Sequence, residues 1–207
     1  MKKEQKIIFF SILALVIFFV VGANLYKPAQ SNTVAKDLLY TDYSYQKGEK
    51  NAKVKLVEFF DPACGTCAQF HFFIKDILTK YDGKIELTLR YAPFHPNVSE
   101  VVKILEASRE QNLYEETLEL VFKTQDKWVI NHTANLDELW KILQASWIDI
   151  ERLKKAMRDK KIEEHIDTDI KAVEALNIKQ TPTFYVNGKE LLDFGSKQLL
   201  ELIESAL

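Results

Sequence analysis

Cysteine is scarce in this 207-residue chain, which has only two, Cys64 and Cys67, separated by two residues. Two such residues do not make the disulfide framework that holds small secreted domains together. Glycine and proline are also few, at 6 and 5 residues, while hydrophobic residues make up 47% of the chain, so that a disordered or fibrous protein is excluded. The chain therefore builds an ordinary globular core without covalent staples.

Strong charge of either sign is missing as well. The formal net charge is -2 at pH 7, and no cluster of lysine and arginine with interleaved aromatic residues occurs along the chain. Proteins that bind nucleic acid usually present a basic patch to its phosphates. We therefore expect no nucleic acid among the partners of this protein.

One long hydrophobic run is present, from Ile7 to Val21, and three lysines precede it. The run is typical of an export segment, which keeps the lysines in the cytoplasm and places the following chain on the other side of the membrane. Val21-Gly22-Ala23 offers small residues for cleavage of a signal peptide at 1–26. Residues 7–26 are also long enough to remain as a membrane anchor. We expect an anchored protein on the periplasmic or extracytoplasmic face, or a soluble periplasmic or secreted one after cleavage.

The region after this run begins with a polar, irregular segment, residues 27–51, which we interpret as a tether and a loop leading into the domain. A buried strand is predicted at 54–60, a helix from Cys64 to about Lys80, and a second strand at 84–91. The order strand, helix, strand predicts a right-handed crossover between parallel strands.

Residues 98–177 contain neither glycine nor proline and have apolar residues at helical spacing throughout. Four or five helices are predicted, and their charges are interpreted as solvated helix faces. The expected helix starts are Ser99, Asn112, Asn135 or Asp137, and Asp149.

The C-terminal part carries a strong turn signal, Asn187-Gly188, between the runs 183–186 and 190–193. This dipeptide favours a two-residue β-hairpin turn. Ser196 is then the expected cap of a last amphipathic helix.

The two cysteines differ in position, because Cys64 would lie on the first turn of the predicted helix and Cys67 one turn further in. Free backbone N–H groups and the helix dipole stabilise a thiolate at a helix N-terminus. Cys64 is therefore the expected nucleophile and Cys67 the residue that resolves the mixed disulfide. Gly65 and Thr66, between them, are small enough to let the disulfide ring close.

A zinc site and a passive disulfide both fit the pair less well. Half of a zinc site would need further ligands, but there is no second cysteine pair and the histidines show no ligand spacing. These histidines are His71, His95, His132 and His165. A passive disulfide would close a loop too short to gain much stability. We favour redox exchange and expect neither a metal nor a cofactor.

Four features resemble the DsbA-type branch of the thioredoxin superfamily, over roughly residues 54–207. They are Val57-Glu58-Phe59-Phe60 shortly before Cys64-Gly65-Thr66-Cys67, the long helical stretch, Thr181-Pro182-Thr183-Phe184, and Asn187-Gly188. The resemblance implies an α/β thioredoxin-like fold, at 52–207, with a helical domain inserted at about 98–177.

The resemblance also implies roles for three residues outside the cysteine pair. A cis Pro182 would present the backbone of Thr181 to an extended substrate beside Cys64. Glu58, beneath Cys67, would exchange a proton with that thiol. Without the resemblance, Pro182 is a plain trans turn proline and Glu58 a satisfied strand carboxylate. The family's buried lysine has no match, because Leu89 occupies its position with Arg90 adjacent.

The function implied is that of an extracytoplasmic thiol-disulfide oxidoreductase, with an oxidase that donates its disulfide to exported proteins as the first choice. A quinone-linked membrane protein would then reoxidise the pair. Gly-Thr replaces the proline-containing dipeptides of strong oxidases, so a reductase or isomerase is the alternative.

A protein of another class, a metallochaperone or redox-silent binding module, would use the same groove without transferring disulfides. Phe94, Pro96 and Trp128 are candidates for lining a peptide groove, although aromatic residues at such spacing more often belong to the core.

Overall fold

The computed structural model describes residues 36–207, and a five-stranded mixed sheet lies at its centre. The strands of this sheet are β1 (Tyr45–Gly48), β2 (Val54–Phe60), β3 (Ile85–Tyr91), β6 (Thr183–Val186) and β7 (Lys189–Glu190). Their order across the sheet is β1-β3-β2-β6-β7. Only β2 and β3 are parallel, and the other neighbours are antiparallel.

Strands β2 and β3 are joined by helix α2 (Gly65–Lys80), as the sequence predicts. Both strands are buried on both faces, which explains why they are rich in apolar residues instead of alternating cleanly. Their register places Glu58 beside Leu89 and Phe59 beside Arg90. Successive side chains alternate between the faces of a sheet, so Glu58 and Arg90 belong to opposite faces.

The two faces pack against different helices. One face, with Glu58, packs against α2 and against α9 (Ser196–Glu204) in the larger hydrophobic core. The other face packs against α1 (Lys36–Leu39) and α8 (Lys160–Ala175) in a smaller core. The helix that begins at the cysteine pair therefore lies directly over the buried carboxyl of Glu58.

The helical stretch contains six α-helices, one more than the upper count that the sequence predicts. They are α3 (Val98–Ser108), α4 (Tyr114–Lys123), α5 (Gln125–Trp128), α6 (Leu136–Gln144), α7 (Ile150–Ala156) and α8. A 3₁₀ turn, Arg109–Gln111, follows α3.

Three helices of this stretch are capped by side chains. Asn135 and Asp149 accept hydrogen bonds from the third residue beyond them, as predicted, and Asp159 provides an unpredicted cap for α8. The predicted starts at Ser99 and Asn112 are each displaced, to caps at Asn97 and Leu113.

Three local predictions are wrong. The stretch is not helical throughout, because β4 (Val129–Ile130) and β5 (Thr133–Ala134) form a small hairpin with positive φ at both turn residues. The predicted loop before β2 contains α1 and the edge strand β1, which pairs with β3. Ser196 is the first residue of α9 instead of its cap, and the cap position is Gly195.

The hairpin β6–β7 forms as predicted around Asn187 and Gly188, both with positive φ, although its second strand is only two residues long. The predicted export or anchor helix at 7–26 lies outside the described residues. Within residues 36–207, no helix is long and apolar enough to cross a membrane.

Candidate active site

The cysteine pair lies at the start of helix α2, where the sequence places it. Cys64 is the N-cap residue, with extended backbone angles, and its side chain is partly exposed. Cys67 is on the first turn and is completely buried. The two sulfurs thus lie in different environments although only two residues separate them.

The environment of Cys64 stabilises its thiolate and lowers the pKa of the thiol to about 5. The main cause is a hydrogen bond from the Cys67 thiol, and burial partly opposes it. The Thr181 side chain adds a further hydrogen bond, as do the backbone N–H groups of Cys67 and Thr66. These backbone donors are free because they belong to the first turn of the helix.

Cys67 has the opposite character. Burial is the first cause that raises the pKa of its thiol well above the ordinary value, and the hydrogen bond to Cys64 is the second. The negative charge of Glu58 acts in the same direction. Near neutral pH, Cys64 is therefore a thiolate and Cys67 a thiol.

Thr181 and Pro182 face the cysteine pair from the loop before β6. The peptide bond between them is cis, and Pro182 is buried. The Cys64 Sγ lies 3.3 Å from the Thr181 carbonyl oxygen, to which the protonated thiol donates. Thr181 therefore offers a carbonyl to the thiol form and its side chain to the thiolate form of the same sulfur.

Glu58 lies on the face of β2 that helix α2 covers, and only 3% of it is exposed. Burial raises the pKa of its carboxyl to about 8, with the negative charge of Cys64 as the second cause. Its neighbours across the sheet are Leu89 and Phe184. No lysine therefore lies beside Glu58 on either neighbouring strand, and Arg90 pairs with Asp169 on the other face, at 2.6 Å.

Asp61 is a site residue that the sequence indicates only as the end of a strand. It is fully buried, and its carboxylate accepts hydrogen bonds from the backbone N–H groups of Ala63, Phe94 and His95, at 2.7–2.9 Å. The His95 ring lies 2.9 Å from the same carboxylate. Asp61 therefore joins the turn before Cys64 to the loop after β3.

Gln125, at the start of α5, is a second site residue that the sequence does not predict. Its side-chain amide donates to the carbonyl oxygens of Pro62 and Cys64, at 2.8 and 3.1 Å. Its other amide atom lies 3.7 Å from where a Cβ on Gly65 would be, which is an ordinary van der Waals distance. Nothing local in the sequence indicates this contact, because 61 residues separate Gln125 from Cys64.

The three residues that the sequence suggests for a peptide groove differ in their exposure. Trp128 is completely buried and donates its ring N–H to the Val121 carbonyl, so it belongs to the core, which is the interpretation that its spacing favours. Phe94 is 46% exposed and Pro96 is exposed, on the loop that Asp61 holds. Among residues 36–207, no group of three or more histidine, cysteine, aspartate or glutamate side chains is arranged to hold a metal ion.

Comparison with known proteins agrees with this arrangement. Residues 41–205 match the family described as thioredoxin. A thioredoxin-like oxidoreductase from Silicibacter pomeroyi DSS-3 superposes with a TM-score of 0.72 at 22% identity, covering 84% of this chain and 98% of that one. Oxidised BdbD from Bacillus subtilis gives a TM-score of 0.67 at 22% identity, covering 81% and 95%. The fold is thioredoxin-like with a helical insertion, as expected.

Two kinds of curated protein are similar in sequence. A putative protein-disulfide oxidoreductase of Rickettsia bellii is 26% identical over 164 residues, which are 77% of this chain and 63% of that protein. The Na(+)/H(+) antiporter NhaA 3 of Salinispora tropica is 25% identical over 155 residues, 72% of this chain. The match spans only 22% of the antiporter's length.

Proposed function

Because the chain belongs to the thioredoxin family and shares its fold with a thioredoxin-like oxidoreductase and with BdbD, we propose that it is an extracytoplasmic disulfide oxidase. It transfers the Cys64–Cys67 disulfide to thiols of exported or unfolded proteins. A putative protein-disulfide oxidoreductase among its sequence relatives supports the chemistry.

The observation that carries the proposal is the difference between the two thiols. The pKa of Cys64 is lowered to about 5, while that of Cys67 is raised. A stabilised Cys64 thiolate stabilises the reduced enzyme, and an enzyme whose reduced form is stabilised gives its disulfide away readily. This favours the oxidase over a reductase or isomerase.

In the proposed reaction, a substrate thiolate attacks the Cys64 Sγ and forms a mixed disulfide. The Cys64–Cys67 bond breaks, and its electron pair leaves on the Cys67 Sγ, which takes a proton from the Glu58 carboxyl. A second substrate thiolate then attacks the substrate sulfur of the mixed disulfide and releases Cys64 as a thiolate. The substrate gains a disulfide, and the enzyme is left reduced.

Thr181 and Pro182 position the substrate in this proposal. An extended peptide lies beside Cys64 along the backbone of Thr181, as in recognition by strand addition. The buried Pro182 leaves that backbone unobstructed, and the exposed Phe94 provides apolar surface on the loop after β3.

The reduced pair must be reoxidised, and we propose a quinone-linked membrane protein for that step. The apolar run Ile7–Val21 after three lysines supports a place outside the cytoplasm, with residues 7–26 as an anchor. Both points come from the sequence and from the family resemblance.

The decisive experiment equilibrates the protein with glutathione and measures the reduction potential of the cysteine pair. A potential near that of strong oxidases, about −120 mV, supports the proposal, and one near that of thioredoxin, about −270 mV, identifies a reductase. The catalytic roles are tested separately with C64A and C67A. Disulfide transfer that survives C64A would contradict the enzymatic role and favour a binding module.

A further inference from the structure

A small cavity lies behind the cysteine pair, between the sheet and helices α2 and α4. Its volume of about 20 Å³ is enough for one water molecule. Its lining includes the buried residue Glu58 and three further charged residues, Lys47, Lys75 and Glu115. These three side chains are each about one third exposed, at 35%, 35% and 30%. The cavity therefore leads from a buried acid towards the solvent.

Two polar groups that line this cavity have no partner among residues 36–207. One is the Glu58 carboxyl. Burial and the negative charge of Cys64 raise its pKa, and no hydrogen bond contributes to the change. The other is the His71 Nε2, which is buried and makes no hydrogen bond to the described residues. Buried polar groups are almost always satisfied, often by an internal water. A water molecule in the cavity would satisfy both.

His71 also has the right position along the helix. It follows Cys67 by four residues, so both side chains lie on the same face of α2, one turn apart. Its ring packs against Phe122 at 5.2 Å, which keeps that side of the ring dry. Cys67, Glu58, the cavity and His71 therefore form a continuous series of groups.

We propose that His71 carries protons between Glu58 and the solvent through a water molecule in this cavity. The inference rests on the proposed exchange of a proton between Cys67 and Glu58. In this proposal a histidine on α2 supplies protons to the Glu58 carboxyl. No basic residue on the neighbouring strands does so.

Protons are conserved along this route in the oxidase direction. Glu58 gives its proton to the departing Cys67 thiolate and becomes a carboxylate. His71 takes a proton that enters from the solvent and passes one from Nε2 through the water to the Glu58 carboxylate. Glu58 returns to its protonated state, and His71 stays neutral but carries its proton on Nδ1 until exchange with water restores the Nε2–H tautomer. One proton from the solvent has then been bound as the Cys67 thiol. The reverse reaction releases it by the same route.

The charge environment suits this exchange. Burial lowers the pKa of His71 to about 4 and raises that of Glu58 to about 8, so near neutral pH the proton rests on Glu58 and His71 is neutral. The charged groups facing His71 are Lys75 and Lys47, which lower its pKa, and Glu119 and Glu115, which raise it. The two lysines and the two glutamates therefore act on the pKa of His71 in opposite directions.

The test is the rate at which Cys67 resolves a preformed mixed disulfide between Cys64 and glutathione, measured by stopped flow across the neutral pH range. H71L and H71Q are compared with the wild type, and H165L is the matched control. His165 also has a buried ring nitrogen without a partner among residues 36–207, but it stacks on Tyr43 at the other face of the sheet.

We expect both His71 variants to slow the Cys67 step by about a hundredfold, the lower end of the range of acid-base contributions, and H165L to leave it unchanged. The rate of alkylation of Cys64 should remain that of the wild type in all three. A normal rate in H71Q, whose amide can hold a water but cannot carry a proton, would overturn the proposal, whatever H71L does.

Two measurements separate this proposal from the one that it rests on. If E58Q leaves the Cys67 step unchanged, the role of Glu58 fails; if E58Q is slow and the His71 variants are normal, only the His71 relay fails. The second measurement is made on the wild type, so it does not depend on the stability of a variant. In nitrogen NMR, the Nε2 signal of His71 should shift as Glu58 titrates. That shift should vanish in E58Q, and its persistence there would contradict the proposal.

Discussion

Two of the buried carboxylates, Asp169 and Glu58, lie on opposite faces of the sheet, and they differ in their partners. Asp169, facing the smaller core, accepts hydrogen bonds from Arg90 at 2.6 Å, from the Tyr43 hydroxyl at 2.5 Å and from the Tyr91 backbone at 2.7 Å. Glu58, facing the cysteine pair, has no hydrogen-bond partner among the described residues, and burial raises the pKa of its carboxyl to about 8. A carboxylate with a structural role is fully paired, whereas one without partners is free to exchange a proton.

The largest effect is expected where the paired carboxylate is removed. D169A leaves the buried Arg90 guanidinium without its charge partner and should lower the free energy of unfolding by about 3–5 kcal/mol. Chemical denaturation measures this, and D167A, an exposed position two residues away, should change it by less than about 0.5 kcal/mol. Equal stability of D169A and D167A would show that the pairing contributes nothing.

Glu58, the carboxylate without partners, should have the opposite effect: its ionisation lowers the free energy of unfolding. The pKa of Glu58 is about 8 in the folded protein and 4.5 ordinarily, so the folded state holds a proton that the unfolded state loses. Stability therefore falls as pH rises from 4.5 to about 8, by roughly 3–5 kcal/mol in total. E58Q removes this loss, and we expect it to be more stable than the wild type above pH 8 and equal to it below pH 4.5.

Denaturation of both reduced proteins across this pH range checks the prediction. E86Q is the control, because Glu86 is also buried on the sheet but is paired with Lys55. E86Q should lose stability instead of gaining it. A pH dependence of E58Q identical to that of the wild type would mean that Glu58 is ionised in the fold.

A smaller effect is expected from removing a side chain that stabilises the negative charge on the Cys64 sulfur. T181V removes the side-chain hydrogen bond to the Cys64 thiolate while keeping the Thr181 carbonyl. The pKa of Cys64 should rise by about one unit, since one charge-assisted hydrogen bond is worth about 1.5–3 kcal/mol before solvent replaces part of it. Thiolate absorbance titration measures the shift, and T183V, next to the cis proline but bonded to the Gln180 carbonyl, should show none.

The smallest effect concerns the contact between the helical stretch and the active-site turn. Q125A loses two hydrogen bonds to backbone carbonyls and should destabilise the protein by about 1 kcal/mol and alter Cys64 alkylation by roughly twofold. Q111A also loses two hydrogen bonds, to the backbone of Asp149, and should match it in stability. Only Q125A should affect alkylation, and the same alkylation rate in both variants would assign Gln125 a purely structural role.

The parts of the fold that sequence predicts well have strong local signals. The strand 54–60, the helix after Cys64 and the Asn187-Gly188 turn each depend on residues within a few positions of one another. Strand β1 is not predicted because it is four residues long and only half of its positions face inward, so that its pattern is too short to recognise. The turn between β4 and β5 uses Asn131 and His132 without glycine and carries no hairpin signal.

The residues of the site also differ in whether a local sequence signal predicts them. The cysteine pair and the Thr181–Pro182 loop are recognisable from short motifs, and their roles remain predictions that the experiments above test. Asp61 and Gln125 act through contacts between distant elements, and no spacing along the chain indicates them. Only the register of β2 and β3 separates Arg90 from Glu58, because it decides which face of the sheet each residue joins.

The ends of the sheet have a consequence for how this protein meets other polypeptide chains. Unfolded polypeptides adhere to open strand edges, which can template aggregation. Here one edge is the four-residue β1, ended by Gly48 with its positive φ, and the other is the two-residue β7, composed of exposed Lys189 and Glu190. Short, charged edges of this kind discourage lateral growth, so another extended chain gains little by pairing along the rim of the sheet.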